Sequence, residues 1–380
     1  MSTIQHRTEI DPLRPYVPGR PIDDVKREYG LKEVIKLASN ENPYGCSPKA
    51  QQAVIDTLSG PNAALYPDGA CTVLREALAK KFSVATDRLI FGCGTDEIIS
   101  MIGKVFINKN DEAITAAVSF SQYAASVNSM GGTMVYSPMK DHGFDLPDIL
   151  TKITDKTKVI FIANPNNPTG TTHTAAEQAA FMEQVPSNVL VAFDEAYGEF
   201  VDEPRLVAEQ TPLCCSPMRP DFPDTAAMLD KYPNILYMKT FSKAYGLASL
   251  RVGYAIGSPA IITLFEKIRN PFNVSVQAQA AAVAALADTD FLAESVAGNR
   301  AVRDYLYEEC KALGLFYIPT QTNFVMIDIQ KDSAQAFLDL MKKGYIIRPG
   351  AAFGMPTFLR VTLGTMEQMQ GFVAVLKTIL

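Results

Sequence analysis

Residues 158–170 read KVIFIANPNNPTG. Lys158–Ala163 is short and nearly all apolar, which fits a strand buried on both faces, as strands of a parallel sheet are. The segment behind it, Asn164–Gly170, is rich in Pro and Asn and suits a turn. Three more runs have the same form: Arg88–Gly92 (RLIFG), Val189–Phe193 (VLVAF) and Ile235–Lys239 (ILYMK). Helical stretches lie between them, one near Asp96–Phe106. Strands alternating with helices predict an α/β domain with a mostly parallel central sheet flanked by helices.

Beyond this core the pattern changes. Val302, Leu306, Cys310 and Leu313 mark one helix face, Asn323–Ile329 reads as a strand and a helix follows near Ser333–Lys343. YIIR, FLRVTLG and a last helix from about Met366 complete what reads as a small α+β C-terminal domain. Pro271, within Arg269–Asn273, marks the boundary. The expected division is an N-terminal arm over 1–40 joining the small domain, a large domain over 41–270 and the small domain over 271–380. Residues 202–224, rich in Pro and holding Cys214 and Cys215, read as a surface excursion.

Composition excludes several functions. The 380 residues carry 35 Lys+Arg against 41 Asp+Glu, a net charge of −6, which disfavours a nucleic-acid partner. His6, His142 and His173 are far apart and form no zinc-ligand pair, so no metal is expected and a Ser-His-Asp triad is disfavoured. The six cysteines include no CxxC and read as reduced thiols of a cytoplasmic protein. The N-terminal stretch has no apolar core of a signal peptide, and no apolar run is long enough to span a membrane.

Four polar segments fall at the C-terminal ends of the expected strands, the edge where open α/β sheets bind ligands. They are Cys93–Glu97, Asn164–Gly170, Asp194–Tyr197 and Thr240–Lys243, with Arg251 eight residues past the lysine. Each alone has an ordinary structural explanation: a capped helix start with Thr95 as cap, a Pro/Asn turn, a solvated acid, a surface lysine, a surface ion pair. Together they match the needs of pyridoxal 5′-phosphate. That cofactor needs a lysine amine to hold its aldehyde and an acid to keep its ring nitrogen protonated, so that the ring acts as an electron sink. Lys243 and Asp194 suit these tasks. Its phosphate needs backbone N–H groups at a helix start, hydroxyls and a cation. Thr95, the Asp96 amide, Ser242 and Arg251 can supply them, with the Asp96 carboxylate turned away, and Gly94 and Thr240 are further cofactor-binding candidates. Asn167 and Tyr197 are candidate partners for the phenolic oxygen, and Phe120 for the ring face.

The chain resembles the histidinol-phosphate aminotransferase family of fold-type-I pyridoxal-phosphate enzymes from about Tyr16 to its C-terminus. The matching segments include SNENPYG (39–45), YPDG (66–69), GCGTDE (92–97), NPNNPTG (164–170), DEAYGEF (194–200), TFSKAYGLASLRVGY (240–254), IIRPG (346–350) and LRVTLGT (359–365). The resemblance implies an amino transfer between an amino donor and a 2-oxo acid, in a homodimer. Tyr66 would reach the cofactor phosphate of the neighbouring subunit. Arg360 and Arg348 would grip substrate anions, and Tyr16 and Asn42 would line the substrate site. Lys243, Asp194 and Tyr197 would be the catalytic set. L-histidinol phosphate is the implied donor and 2-oxoglutarate the acceptor, with aromatic amino acids as alternative donors. A related lyase acting on a phosphorylated amino acid is a remoter reading. A non-enzymatic cofactor-sensing module is remoter still, since the arm is too short for a DNA-binding segment.

Overall fold

The computed structural model describes residues 4–13, 15, 19–59, 64–201 and 221–380. Its centre is a seven-stranded sheet in the order Leu89–Gly92, Gly253–Gly257, Ile235–Thr240, Leu190–Asp194, Thr157–Ala163, Glu112–Ala116, Thr133–Ser137. The last five strands in this order run parallel, and Gly253–Gly257 is antiparallel to both its neighbours. The sheet expected from the apolar runs is therefore present, with one reversed strand. Successive side chains alternate between its faces. Phe91, Ile162, Phe193, Tyr237 and Tyr254 enter one core, which the helices Thr72–Phe82, Ala175–Met182 and Val276–Leu286 cover. Ile90, Phe161, Ala192, Leu236 and Met238 enter the other, under Thr95–Phe106, Gln122–Ser129 and Pro259–Glu266.

Register sets the functional edge. Ala163 lies opposite Asp194, Asp194 opposite Met238, Thr240 opposite Gly253 and Gly253 opposite Gly92. The residues that follow these strand ends therefore emerge side by side. Because Gly253–Gly257 runs the other way, its start, with Arg251 just before it, reaches the same edge.

A four-stranded antiparallel sheet, in the order Phe316–Ile318, Phe324–Asp328, Phe358–Thr362, Arg348–Pro349, packs on the helices Thr289–Ala312, Ser333–Lys342 and Met366–Leu376. Ile35–Lys36 pairs in parallel with Tyr345–Ile346, and Val25 and Ala38 pack with Met341 and Ile346. Val276–Leu286, which follows Pro271, packs with the large sheet through Ala278, Ala281, Ala282 and Ala285. Small side chains let this helix lie close against Pro48–Thr57, so the switch to the second core comes along Thr289–Ala312, later than the proline suggests. Cys214, Cys215 and most of the 202–224 excursion lie outside the described residues.

The lobes meet tightly at Asn164–Thr171, where both Asn–Pro bonds, 164–165 and 167–168, are cis. The Gln321 N–H donates to the Gly170 carbonyl at 2.8 Å. Gly170 has φ +77, and a Cβ there would lie 1.9 Å from Thr320 Oγ1. Gly170→Ala should therefore lower stability by about 2 kcal/mol or more, through both left-handed strain and the clash. Denaturant unfolding checks this, and wild-type stability would show that the lobes are not packed this closely.

Candidate active site

The aligned strand ends and the small lobe enclose a cavity of about 850 Å³. Of the residues singled out from sequence, Thr95, Asp96, Phe120, Asn167, Asp194, Tyr197, Thr240, Ser242, Lys243, Arg251, Arg348 and Arg360 line it. A second cavity of about 740 Å³, behind Gly170–His173, contains none of them.

Lys243 follows the strand Ile235–Thr240, and its Nζ donates to the Ser39 carbonyl at 3.1 Å. Burial, followed by the nearby Arg360 cation, pushes its amine down to about 8. Asp194 ends the adjacent strand. Its Oδ1 accepts from the Ala196 N–H at 3.1 Å and its Oδ2 from the Tyr123 hydroxyl at 2.8 Å. Burial raises Asp194 to about 6 against the pull of these hydrogen bonds. The charged carboxylate thus lies where a cation would relieve its desolvation. Burial also pushes the Tyr197 phenol up to about 12, so it stays protonated near neutral pH.

The helix Thr95–Phe106 points its start at Arg251. Gly94, φ +76, is its N-cap position, and Thr95 is its first residue. Thr95 is thus not the cap expected from sequence: the glycine turns the chain one residue earlier, and Glu97 accepts from the Cys93 N–H at 2.6 Å. A Cβ on Gly94 would lie 2.5 Å from Arg251 Nη2. Arg251 Nη1 donates to Ser242 Oγ at 3.3 Å, and Ser242 Oγ accepts from Thr240 Oγ1 at 3.0 Å. Glycine backbone, helix start, hydroxyls and guanidinium together form a cradle suited to a phosphate. The Asp96 carboxylate was expected to turn away from such an anion, yet it pairs with Arg251 Nη2 at 3.4 Å. The guanidinium attracts the half-exposed acid.

The small lobe contributes two arginines. Arg348 and Arg360 are direct partners on adjacent antiparallel strands, so their side chains leave the same face. Opposed like charges are unfavourable unless an anion lies between or near them. Arg360 is held in place: Nη1 donates to Asn167 Oδ1 at 2.6 Å and Nη2 to the Ala38 carbonyl at 2.8 Å. Phe324 and Phe353 lie 5.3 and 5.2 Å from its guanidinium carbon.

Among the described residues, Gly94, Asn42 and Tyr66 do not line this cavity, although Gly94 lies against Arg251 at its edge. Asn42 is turned aside, because its Nδ2 donates to the Ala244 carbonyl at 2.9 Å and Ser295 Oγ at 3.3 Å, while its Oδ1 accepts from Tyr44 N–H at 3.0 Å. Asn40 faces the cavity instead. Tyr66 is 81% exposed and stacks on Phe272 with ring centroids 4.6 Å apart. Tyr16 lies outside the described residues, though Pro15 and Gly19 flank the cavity. Sequence reasoning passed over Ser39, Asn40, Tyr123 and Phe353. Tyr123 ends the stretch VSFSQY (118–123), but a tyrosine three residues beyond Phe120 reads as core.

Residues 32–376 match the family model described as aminotransferase class I and II. Histidinol-phosphate aminotransferase of Moorella thermoacetica is 45% identical over 98% of this chain and 92% of its own length. That of Bacillus subtilis strain 168 is also 45% identical, over 98% of this chain and 99% of its own. The chain belongs to the histidinol-phosphate aminotransferase family. The crystal structure of the Sinorhizobium meliloti member, in complex with pyridoxal 5′-phosphate, superposes with a TM-score of 0.87 at 28% identity, covering 100% of this chain and 99% of that one. Thermus thermophilus aspartate aminotransferase, with a TM-score of 0.82 at 20% identity, shares the fold. The chain is thus a pyridoxal-phosphate-dependent transaminase of fold type I, and the cradle at Gly94, the amine of Lys243 and the buried carboxylate of Asp194 fit that cofactor.

The buried acids have a consequence for stability. Glu195, next to Asp194, is also raised by burial, to about 7, with its Oε1 accepting from Thr225 Oγ1 at 2.6 Å. In the unfolded chain both ionise near the ordinary carboxylate value, so between there and about 7 the folded state holds more protons. Their contribution is full at low pH and is lost as pH rises through about 6 and then 7. The cofactor-free protein should melt a few degrees lower at pH 7.5 than at pH 5. Bound cofactor should flatten this slope and Asp194→Asn should reduce it, as scanning calorimetry would show; equal slopes in all three would contradict the assignment.

Proposed function

We propose that the chain transfers the amino group of L-histidinol phosphate to 2-oxoglutarate, a step of histidine biosynthesis, in the cavity built by Lys243, Asp194 and the two opposed arginines. The pairing of Arg348 with Arg360 on adjacent strands carries the donor assignment: two cations on one face suit a phosphate in one half-reaction and the carboxylates of a 2-oxo acid in the other. Bound pyridoxal phosphate supplies the electron sink for the pair left when the substrate Cα proton is removed.

The chain's own residues do the rest. Lys243 Nζ would hold the cofactor's aldehyde carbon and, once freed by the substrate amine, would be the base that takes the substrate Cα proton. An amine lowered to about 8 is well matched to this task near neutral pH. Asp194 would hold the ring nitrogen in its protonated form. Gly94, Thr95, the Asp96 amide, Thr240, Ser242 and Arg251 hold the phosphate. Asn167 and Tyr197 would serve the phenolic oxygen, and Phe120 would cover the ring. Arg360, locked by Asn167, Ala38 and two phenylalanine rings, presents a fixed fork to the substrate anion. Arg348 adds the second charge.

We place the working enzyme as a homodimer in the cytoplasm. Tyr66 supports the dimer: it is exposed on its own chain, next in sequence to exposed Leu65 and stacked on exposed Phe272, an apolar surface that suits a partner. In the dimer Tyr66 would reach the partner's cofactor phosphate, and Tyr16 would close the substrate side. The described cysteines Cys46, Cys71, Cys93 and Cys310 are free thiols, as a reducing compartment requires. No helix among the described residues is long and apolar enough to cross a membrane.

Steady-state turnover tests the donor. Histidinol phosphate should be used far better than Tyr or Phe with 2-oxoglutarate as acceptor. Arg348→Ala should cut kcat/KM for histidinol phosphate by roughly 10- to 100-fold, and Arg360→Ala should impair both donor and acceptor by a similar factor. Unchanged kinetics in both variants, or a wild-type preference for Tyr or Phe, would overturn the assignment.

A further inference from the structure

Asn40, in the N-terminal segment, touches both lobes. Its backbone is left-handed, φ 56, and its side chain is buried. Its N–H donates to Thr362 Oγ1 at 3.0 Å and its carbonyl accepts from Asn323 Nδ2 at 3.0 Å. Its Oδ1 accepts from Thr362 Oγ1 at 3.0 Å, and its Nδ2 donates to the Tyr197 hydroxyl at 2.9 Å.

These directions follow from the inventory of hydrogens. Thr362 Oγ1 accepts from the Asn40 N–H and gives its one hydrogen to the Asn40 carboxamide oxygen. The NH₂ end of Asn40 must then face Tyr197. Asn167 is oriented by the same reasoning. A guanidinium only donates, so Asn167 Oδ1 takes the bond from Arg360 and its Nδ2 turns to Tyr197, at 3.4 Å. The Tyr197 oxygen therefore meets two donors, and its own hydrogen has to go elsewhere. Among the described residues no side chain or carbonyl accepts it, and Tyr197 lines the cavity beside Asp194 and Lys243.

We propose that Asn40 is a positioning residue that, together with Asn167, makes Tyr197 an obligate hydrogen-bond donor into the cavity, toward the phenolic oxygen of the bound cofactor. The proposal rests on the pyridoxal-phosphate reading of this cavity. Donation to that oxygen favours its negative charge and so lowers the pH at which the bound chromophore loses its proton. The orienting hydroxyl of Thr362 lies two residues from Arg360 on one strand, hence on the same face. The strand that presents the substrate arginine thus also sets the direction of the Tyr197 hydrogen.

The test is the visible absorbance of the cofactor-loaded protein as a function of pH. Tyr197→Phe should raise the midpoint by roughly one unit, a tenfold change in the proton equilibrium. Asn40→Gly keeps the left-handed backbone and both backbone hydrogen bonds, and should raise the midpoint by about half as much. Thr362→Val, which removes the hydroxyl that orients Asn40, should shift it the same way and serves if the glycine variant does not fold. Added to Tyr197→Phe, either change should move the midpoint no further. A wild-type midpoint in the Asn40 and Thr362 variants while Tyr197→Phe shifts would overturn the inference alone, as would a further shift on the phenylalanine background. A wild-type midpoint in Tyr197→Phe would instead overturn the placement of Tyr197, and with it the reading beneath.

Discussion

The hydrogen-bond register of the large sheet is the constraint on which the site depends. Ala163, Asp194, Thr240 and Gly92 end their strands along one edge, so four loops distant in sequence open into one cavity. A one-residue slip in any of these strands would turn its side chains to the opposite face and break both cores. The reversed strand Gly253–Gly257 belongs to the same arrangement. Only its direction brings Arg251 to the edge where Gly94 leaves room for it.

On this edge the chain gathers charges that burial disfavours singly. Lys243 is depressed, Asp194 is raised, and two arginines oppose each other across a strand pair. An anionic, ring-bearing cofactor would relieve Lys243 and Asp194, and an anionic substrate would suit the opposed arginines. The hydrogen-bond network at Asn40, Asn167, Tyr197 and Arg360 then ties the two lobes together around these charges.

Much of this arrangement is legible in the amino-acid sequence. Continuous apolar runs such as KVIFIA mark strands buried on both faces, and the polar segments after them mark the ligand edge. The features that escape such a reading do so for physical reasons. GYAIG is short and begins and ends in glycine, so its strand and its reversal leave no periodic signal. The Ala-rich helix Val276–Leu286 is equally compatible with either lobe, and only close packing against a neighbouring helix places it with the large sheet. Within SNENPYG the sequence does not say which asparagine turns inward, because that depends on the left-handed backbone at Asn40. Tyr123 resembles any core tyrosine until its hydroxyl is seen on Asp194. The one-residue error at Thr95 is the usual uncertainty of a helix start.

The central claim is that Lys243 and a reusable cofactor transfer an amino group in two separable halves. The direct test is to mix the cofactor-loaded protein with L-histidinol phosphate, with no 2-oxo acid present, and count the oxo product released per chain. The account predicts about one equivalent per chain, then arrest until 2-oxoglutarate is added. Product accumulating well beyond one equivalent without an acceptor, or no product at all, would contradict it.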